Sequence, residues 1–138
     1  MHKMNKNISI IAVDFDGTLC LDKYPGVDCL VQEAIDVLRD FRNRGGEVVL
    51  WSCRHGFPLS QAVVALKEAG LEFDAVNANS PKSLRDWEKC SGYPIFDSDQ
   101  RKIYADLYID DKESSLFGKE LDWAKIREYL APFPLDED

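Results

Sequence analysis

The sequence predicts an α/β protein with a three-layer, Rossmann-like fold around a central parallel sheet. Short apolar runs alternate along the chain with longer amphipathic segments, which is the pattern of strands and helices in βαβ units. The first apolar run is continuous, as expected of a strand that is buried on both faces. With 138 residues in the chain, we expect residues 1–138 to form a single domain.

Four strands are predicted from the apolar runs. They are Ile8–Val13, Glu47–Trp51, Phe73–Val76 and a segment that ends at Ile109. Strands that are joined by helices lie parallel to one another, with right-handed crossovers. The carboxyl ends of all four strands are therefore expected to share one edge of the sheet.

Four helices are predicted between and after these strands. Asp28 is a candidate N-cap of the first helix, and Pro58 suits the first position of the second. The third helix is predicted across Pro81–Cys90 and the last around Trp123. Residues 19–28 contain a Pro-Gly turn pair and are predicted to form a loop or a short hairpin.

Composition narrows the possible partners. The formal net charge of −8 argues against a nucleic-acid or anionic membrane surface, because both require basic patches. No apolar stretch approaches the roughly 20 residues of a membrane span. The four cysteines form no Cys-x-x-Cys pair and the two histidines are far apart, so a zinc site is not expected. Scattered cysteines without an apolar signal region predict a cytoplasmic protein.

Two carboxylates follow the first predicted strand at once. Asp14 and Asp16 stand one residue apart, and Gly17 and Thr18 come directly after them. Like charges repel at this distance, and a carboxylate without a partner is costly to bury. A divalent cation relieves both problems, and hard oxygen ligands favour Mg²⁺ over softer metals.

Two further strands end in candidate groups. Ser52 follows the second strand, and Asp110 and Asp111 follow the fourth. Carboxylates, a hydroxyl and a lysine at one sheet edge suit phosphoryl transfer around Mg²⁺. One aspartate can attack phosphorus and a second can move the proton, while the hydroxyl and the lysine bind the phosphoryl oxygens.

These motifs resemble those of the haloacid dehalogenase-like (HAD) superfamily, whose members are mostly Mg²⁺-dependent phosphatases. The stretch Asp-Phe-Asp-Gly-Thr-Leu at 14–19 resembles the first motif of that superfamily, and Ser52 resembles the second. Tyr-Ile-Asp-Asp at 108–111 resembles the fourth. The resemblance implies a phosphomonoester hydrolase that works through an aspartyl-phosphate intermediate.

The resemblance also implies a role for each matching residue. Asp14 would be the nucleophile and a metal ligand, and Asp16 would be the acid/base and would bind the metal through its backbone carbonyl. Ser52 would bind the phosphoryl group, and Asp110 and Asp111 would complete the metal site. An acid at position 16 favours a phosphatase over the dehalogenases, which lack it, and over the transport ATPases, which carry a threonine there.

The residues that bind the substrate phosphate are less narrowly defined. Gly17, Thr18 and Arg54 are predicted substrate contacts. Two lysines are candidates for the phosphate site. Lys82 closely follows the third strand, and Lys102 has the place that small capless members of the superfamily use. Lys102 reaches the site only if the fourth strand is short and the chain turns just before it.

The two places where HAD phosphatases carry a cap domain are short here. Neither residues 19–46 nor residues 77–106 can hold an independent domain of about 50 residues or more. Resemblance to capless members implies a large phosphorylated substrate that covers the site, or a homo-oligomer whose neighbour supplies the lid. A sugar phosphate, a phosphorylated cell-surface precursor and a phosphoprotein all remain open as substrates.

Two other functions fit parts of the pattern. A non-catalytic or regulatory module that binds Mg²⁺ and phosphate would need the metal site, but it would not need an acid/base at Asp16. A phospho-acceptor receiver domain carries its aspartate after the third strand. In this sequence that strand ends in Val76 and Asn77, which disfavours a receiver domain.

Overall fold

Four short parallel strands form the centre of the fold. They are β1 (Ile10–Val13), β2 (Glu47–Leu50), β3 (Ala75–Val76) and β4 (Leu107–Ile109). The computed structural model describes residues 8–91, 103–110 and 121–131. The strands lie in the order β3-β2-β1-β4, and every neighbouring pair is parallel.

The strand order reverses at β1. The chain runs from β1 outward through β2 to β3 and then returns to form β4 on the other side of β1. In open parallel sheets such a reversal leaves a crevice at the carboxyl ends of the two strands, which is where ligands bind. The sheet is flanked by helices in a Rossmann-like arrangement, so the predicted fold class is confirmed.

Four helices are described along the chain. They are α1 (Gln32–Asn43), α2 (Gly56–Glu68), α3 (Pro81–Ser91) and α4 (Trp123–Leu130). Among the described helices, none has the length and apolarity that crossing a membrane requires. Residues 14–46, between β1 and β2, hold a loop and α1 and no inserted domain.

β1 is buried on both faces, as its continuous apolar run predicts. Ile11 and Val13 belong to the larger core, which α1 and α4 complete with side chains such as Phe41 and Trp123. Ile10 and Ala12 alternate with them and belong to a smaller cluster with Val49 and Ala105. Burial on both faces fixes β1 at the centre and so fixes the position of the turn that follows it.

The first helix begins later than predicted. Asp28 is not its N-cap, because α1 starts at Gln32 and Val31 occupies the N-cap position. The backbone N–H of Asp28 instead donates to Asp22 Oδ2 at 2.7 Å, and the N–H of Cys29 donates to the same oxygen at 3.0 Å. Asp22 thereby closes a separate turn, and this turn uses the residues that the sequence assigned to the helix start.

The second helix begins earlier than predicted. α2 starts at Gly56, so Pro58 is its third residue and not its first. Proline is tolerated throughout the first turn, since those backbone N–H groups have no partner within the helix. The composition of the segment therefore cannot distinguish the two starting points.

Candidate active site

Asp14 and Asp110 lie side by side at the carboxyl edge, the edge of the sheet at which the strands end. Val13 pairs with Ile109, and the N–H of Asp14 donates to the Ile109 carbonyl at 3.0 Å. Each aspartate follows its strand by one residue, so their backbones are neighbours at the usual strand spacing of about 4.8 Å. The two strand ends flank the crevice where the strand order reverses.

A tight turn after β1 presents the first motif at this edge. The Phe15 side chain is fully buried, and Gly17 has a φ of +82°, in the region that favours glycine. The Phe15 carbonyl accepts hydrogen bonds from three backbone N–H groups, those of Thr18 (3.2 Å), Leu19 (2.9 Å) and Cys20 (3.0 Å). The predicted role of Gly17 in substrate binding stays a prediction, and its part in shaping the turn is visible.

The carboxylate of Asp16 forms a two-pronged ion pair with Arg54. Nε of Arg54 donates to Oδ2 at 3.0 Å, and Nη2 donates to Oδ1 at 2.8 Å. The guanidinium is almost entirely buried, whereas the Asp16 side chain is about one-third exposed. The hydrogen bonds that Arg54 donates to Asp16 raise the pKa of Arg54, against the opposing effect of burial.

The remaining donors of Arg54 are also used within the protein. Nη1 donates to the carbonyls of Pro25 and Pro58, both at 3.2 Å, and Nη2 donates to the Gly26 carbonyl at 2.8 Å. A guanidinium has five N–H donors, and these contacts account for all of them. The predicted contact of Arg54 with substrate would therefore require one of these bonds to open.

Ser52 is held at the same edge by its neighbours. The N–H of Trp51 donates to the Val13 carbonyl at 2.9 Å, which extends the β-ladder by one residue before Ser52. Ser52 Oγ accepts from the N–H of Arg54 at 3.0 Å, in a turn typical of serine. One lone pair is used in this way, and the hydroxyl hydrogen stays available to donate to a phosphoryl oxygen.

Asn77, which was not among the predicted site residues, orients Ser52. Its Oδ1 accepts from the Ser52 N–H at 2.8 Å, and its own N–H donates to the Leu50 carbonyl at 2.7 Å. Asn77 has a φ of +53°, which asparagine tolerates better than most residues. An asparagine directly after a predicted strand was the available signal.

Thr18 is buried beneath the turn. Its Oγ1 is the one buried side-chain oxygen or nitrogen without a hydrogen-bond partner in the described part of the chain. An unsatisfied buried hydroxyl costs about 1–3 kcal/mol, and native structures contain few of them. Contact between Thr18 and substrate stays a prediction, and it would require the turn to shift.

The structure does not bring Lys82 to the two carboxylates of the first motif. Its Nζ pairs with Asp86 at 3.0 Å, and its backbone N–H donates to Glu47 Oε1 at 3.2 Å. Glu47 is the first residue of β2 and so lies at the opposite edge of the sheet from Ser52.

Lys102 and Asp111 lie outside the described residues, so their roles stay predictions. β4 begins only at Leu107, and residues 103–106 are not part of a strand. A short fourth strand preceded by irregular chain is the condition under which Lys102 is predicted to reach the site.

The acidic side chains of the site are suited to Mg²⁺, which needs only one or two protein carboxylates. They are less suited to a metal whose ligands all come from the protein. The described residues contain no cluster of three or more His, Cys, Asp or Glu side chains that could hold a metal. Asp14 and Asp110 contribute two neighbouring carboxylates, while the carboxylate of Asp16 is bound to Arg54. Mg²⁺ is commonly held by one or two carboxylates together with water and substrate phosphate.

An aromatic pair borders the site over β1. Trp51 and Tyr108 come from the strands on either side of β1, and their ring centroids lie 5.5 Å apart in an edge-to-face arrangement. In the ladder, Ala12 is paired with Tyr108 on one side and with Val49, two residues before Trp51, on the other. Both rings are almost half exposed, so they form an accessible wall beside the carboxylates.

Comparison with known proteins gives one relative of known structure. No family model and no curated protein matches the chain. The structure of a conserved protein coded by a locus of Bacteroides thetaiotaomicron is 33% identical, with 93% of each chain covered and a TM-score of 0.69. This chain therefore belongs to the same family as that Bacteroides protein.

Proposed function

We propose that this protein is a Mg²⁺-dependent phosphomonoester hydrolase of the HAD-like superfamily that acts through a phosphorylated Asp14. The observation that carries the proposal is that Asp14 and Asp110 come directly after adjacent parallel strands, where the strand order reverses. Carboxylates are among the oxygen ligands that Mg²⁺ takes in proteins. The position is also where open α/β sheets bind their ligands.

The proposed reaction has two displacements at phosphorus. A carboxylate oxygen of Asp14 bonds to phosphorus, the ester P–O bond breaks, and its electron pair stays with the leaving oxygen, which takes a proton from Asp16. Water then bonds to phosphorus while Asp16 takes its proton, and the bond from Asp14 to phosphorus breaks to give inorganic phosphate.

The other residues of the site bind and orient. Ser52 donates its hydroxyl hydrogen to a phosphoryl oxygen and is held in place by Asn77. Asp14 and Asp110 would hold Mg²⁺, which neutralises phosphate charge so that a carboxylate can approach it. The substrate is a phosphorylated compound, either small or large, and the exposed rings of Trp51 and Tyr108 are candidate contacts for its alcohol part.

Asp14→Asn is the direct test. We expect it to lower turnover of an aryl phosphate in Mg²⁺ by at least about 10³-fold, because an amide oxygen is a poor nucleophile. The melting temperature should change little. The matched control is Asp28→Asn on the exposed turn, which should keep wild-type turnover. Wild-type activity in Asp14→Asn would refute the proposal.

One observation favours the alternative of a non-catalytic Mg²⁺ and phosphate-binding module. Of the two candidate lysines, the described one, Lys82, is not at the site. A panel of phosphate esters assayed with Mg²⁺ separates the two functions. Hydrolysis of any member eliminates the binding-only module, and phosphate binding without hydrolysis of any member supports it.

We also propose a cytoplasmic location and, in keeping with the open site, an oligomer whose neighbour can supply a lid. The location is supported by the thiols of Cys20, Cys29 and Cys53, which are free. Burial raises the pKa of Cys20, so this thiol is expected to react slowly with alkylating reagents. Extraction of the protein with all thiols reduced would be consistent with this location.

A further inference from the structure

We propose that Arg54 is a positioning residue for proton transfer, which acts by holding the carboxylate of Asp16 in one orientation. The inference rests on the proposed function, because it assigns Arg54 an effect only on the step in which Asp16 gives or takes a proton. It differs from the predicted substrate contact, in which Arg54 itself would bind the phosphate.

The ion pair fixes Asp16 and still leaves it able to exchange a proton. The two N–H groups that Arg54 directs at Asp16 use one lone pair on each carboxylate oxygen. Each oxygen keeps a second lone pair. The Asp16 side chain is 35% exposed, so part of it stays accessible despite the ion pair. In the described part of the chain, Arg54 supplies all the side-chain hydrogen bonds of Asp16.

Arg54 is itself held rigidly. Its side chain is 1% exposed, and its guanidinium lies 4.6 Å from the ring centroid of Phe15 and 5.0 Å from that of Tyr24. A cation over two ring faces is stabilised when it is removed from water. Together with the three carbonyls described above, these rings restrict the orientation of the guanidinium. The orientation of the guanidinium in turn sets that of the Asp16 carboxylate.

The contacts of Arg54 join three separate segments to the acid. Asp16 lies in the turn after β1, Tyr24 and Gly26 lie in the following turn, and Pro58 lies in the first turn of α2. A rearrangement of any of these segments would move Asp16. A fixed acid is worth more than a mobile one, since proton transfer contributes only when donor and acceptor are in hydrogen-bond reach.

A second arginine in the protein is a natural control. Arg42 forms the same two-pronged pair with Asp74, with Nε and Nη2 at 3.0 and 2.9 Å from the carboxylate oxygens. This pair lies at the amino edge, where Asp74 also accepts the N–H of Val48. Its removal should weaken the fold without any effect on the chemistry at the carboxyl edge.

The test is the dependence of kcat/KM on the leaving group for Arg54→Lys. A lysine keeps the positive charge but cannot form the two parallel hydrogen bonds to the carboxylate, so Asp16 loses its fixed orientation. For a series of substituted phenyl phosphates, we expect kcat/KM to fall by about 100-fold for the least acidic phenol and by less than about 10-fold for nitrophenol. Arg42→Lys should lower the melting temperature and leave this dependence as in the wild type.

A milder pair of variants covers the case in which Arg54→Lys does not fold. Tyr24 is more than half exposed, so Tyr24→Ala removes one ring from the guanidinium without opening the core. We expect it to steepen the leaving-group dependence in the same direction by a smaller amount. Tyr24→Phe keeps the ring and should restore the wild-type dependence.

The outcomes separate this inference from the proposed function. A wild-type protein that hydrolyses no phosphate ester overturns both. A wild-type protein that is active, with folded Arg54→Lys and Tyr24→Ala variants whose leaving-group dependence is unchanged, overturns the positioning role alone. Equal loss for all leaving groups in either variant also overturns it, because that pattern indicates a direct phosphate contact or a general structural defect.

Discussion

Both edges of the central sheet carry aspartates, and the two sets of carboxylates differ in their hydrogen-bond partners. At the amino edge, where the strands begin, Asp106 accepts from the N–H groups of Ser9 (2.9 Å) and Ile10 (3.0 Å). Asp74 accepts from the N–H of Val48 at 2.8 Å. These carboxylates satisfy backbone donors at the starts of strands and are structural.

At the carboxyl edge the strands end in carbonyl groups, which do not attract a carboxylate. There Asp14 Oδ1 accepts from the N–H of the next residue, Phe15, at 2.8 Å. Asp16 relies on a guanidinium, and Asp14 and Asp110 lie next to each other. The aspartates before the strands therefore accept the backbone N–H groups with which the strands begin, whereas Asp14 and Asp110 follow neighbouring strands, at the edge where we propose that Mg²⁺ binds.

The largest expected effect comes from Asp110→Asn at the carboxyl edge. Loss of one of two neighbouring carboxylates should weaken Mg²⁺ binding and lower activity by about 100-fold or more, since a bound metal contributes several kcal/mol to the transition state. Calorimetry with Mg²⁺ and a phosphatase assay check this. Undiminished Mg²⁺ binding would contradict the proposed role of Asp110 as a ligand.

The matching change at the amino edge is Asp106→Ala. It removes the acceptor of the Ser9 and Ile10 N–H groups, and we expect the free energy of unfolding to fall by about 3 kcal/mol. Activity per folded molecule should stay within about twofold of the wild type. Urea denaturation and active-site titration measure the two quantities. A stable variant with little activity would show that Asp106 at the amino edge serves the reaction and not the fold.

A smaller effect is expected at Asn77, which serves the carboxyl edge from the end of β3. Asn77→Ala should destabilise the fold by about 1–2 kcal/mol, because alanine is strained at a φ of +53°. Asn77→Gly relieves that strain and should recover most of the stability. Both variants lose the bond to Ser52, so both should lower activity by a similar factor. Recovery of activity in Asn77→Gly alone would exclude the role in orienting Ser52.

The smallest effect concerns Tyr104 at the amino edge. Its hydroxyl donates to Asp106 Oδ1 at 2.7 Å, and this bond raises the pKa of Tyr104 to about 12. A raised phenol pKa stabilises the fold below the ordinary tyrosine value of about 10, and this stabilisation is lost as the pH rises towards 12. Ultraviolet titration should show a tyrosine that ionises only near pH 12, and this step should be absent in Tyr104→Phe. Its persistence in that variant would contradict the assignment.

The fold was predictable because its signals are local. β1 is buried on both faces and so appears as an unbroken apolar run, and Gly17 marks the turn that must follow it. The starts of the first two helices were not predictable to the residue. Asp28 is a good capping residue, but its backbone N–H is bound by Asp22, and only the folded turn decides which acceptor it meets.

The site was predictable in part, for a similar reason. Parallel topology places Asp14, Ser52 and Asp110 at one edge whatever the details of the loops. The position of Lys82 depends on the direction that the chain takes after β3, and the structure takes it towards Glu47 at the far edge. The partner of Arg54 depends on which carboxylate comes within reach of its fork after the helices pack.

By itself, the sequence determined the parallel α/β fold and the residues at the ends of its strands, because both follow from hydrophobic periodicity and chain order. The tertiary structure alone decided which charged groups meet. Arg54 and Asp16 are 38 positions apart in sequence, and their side chains reach one another only when their segments pack together. Packing fixes such distances, and no local pattern in the chain records them.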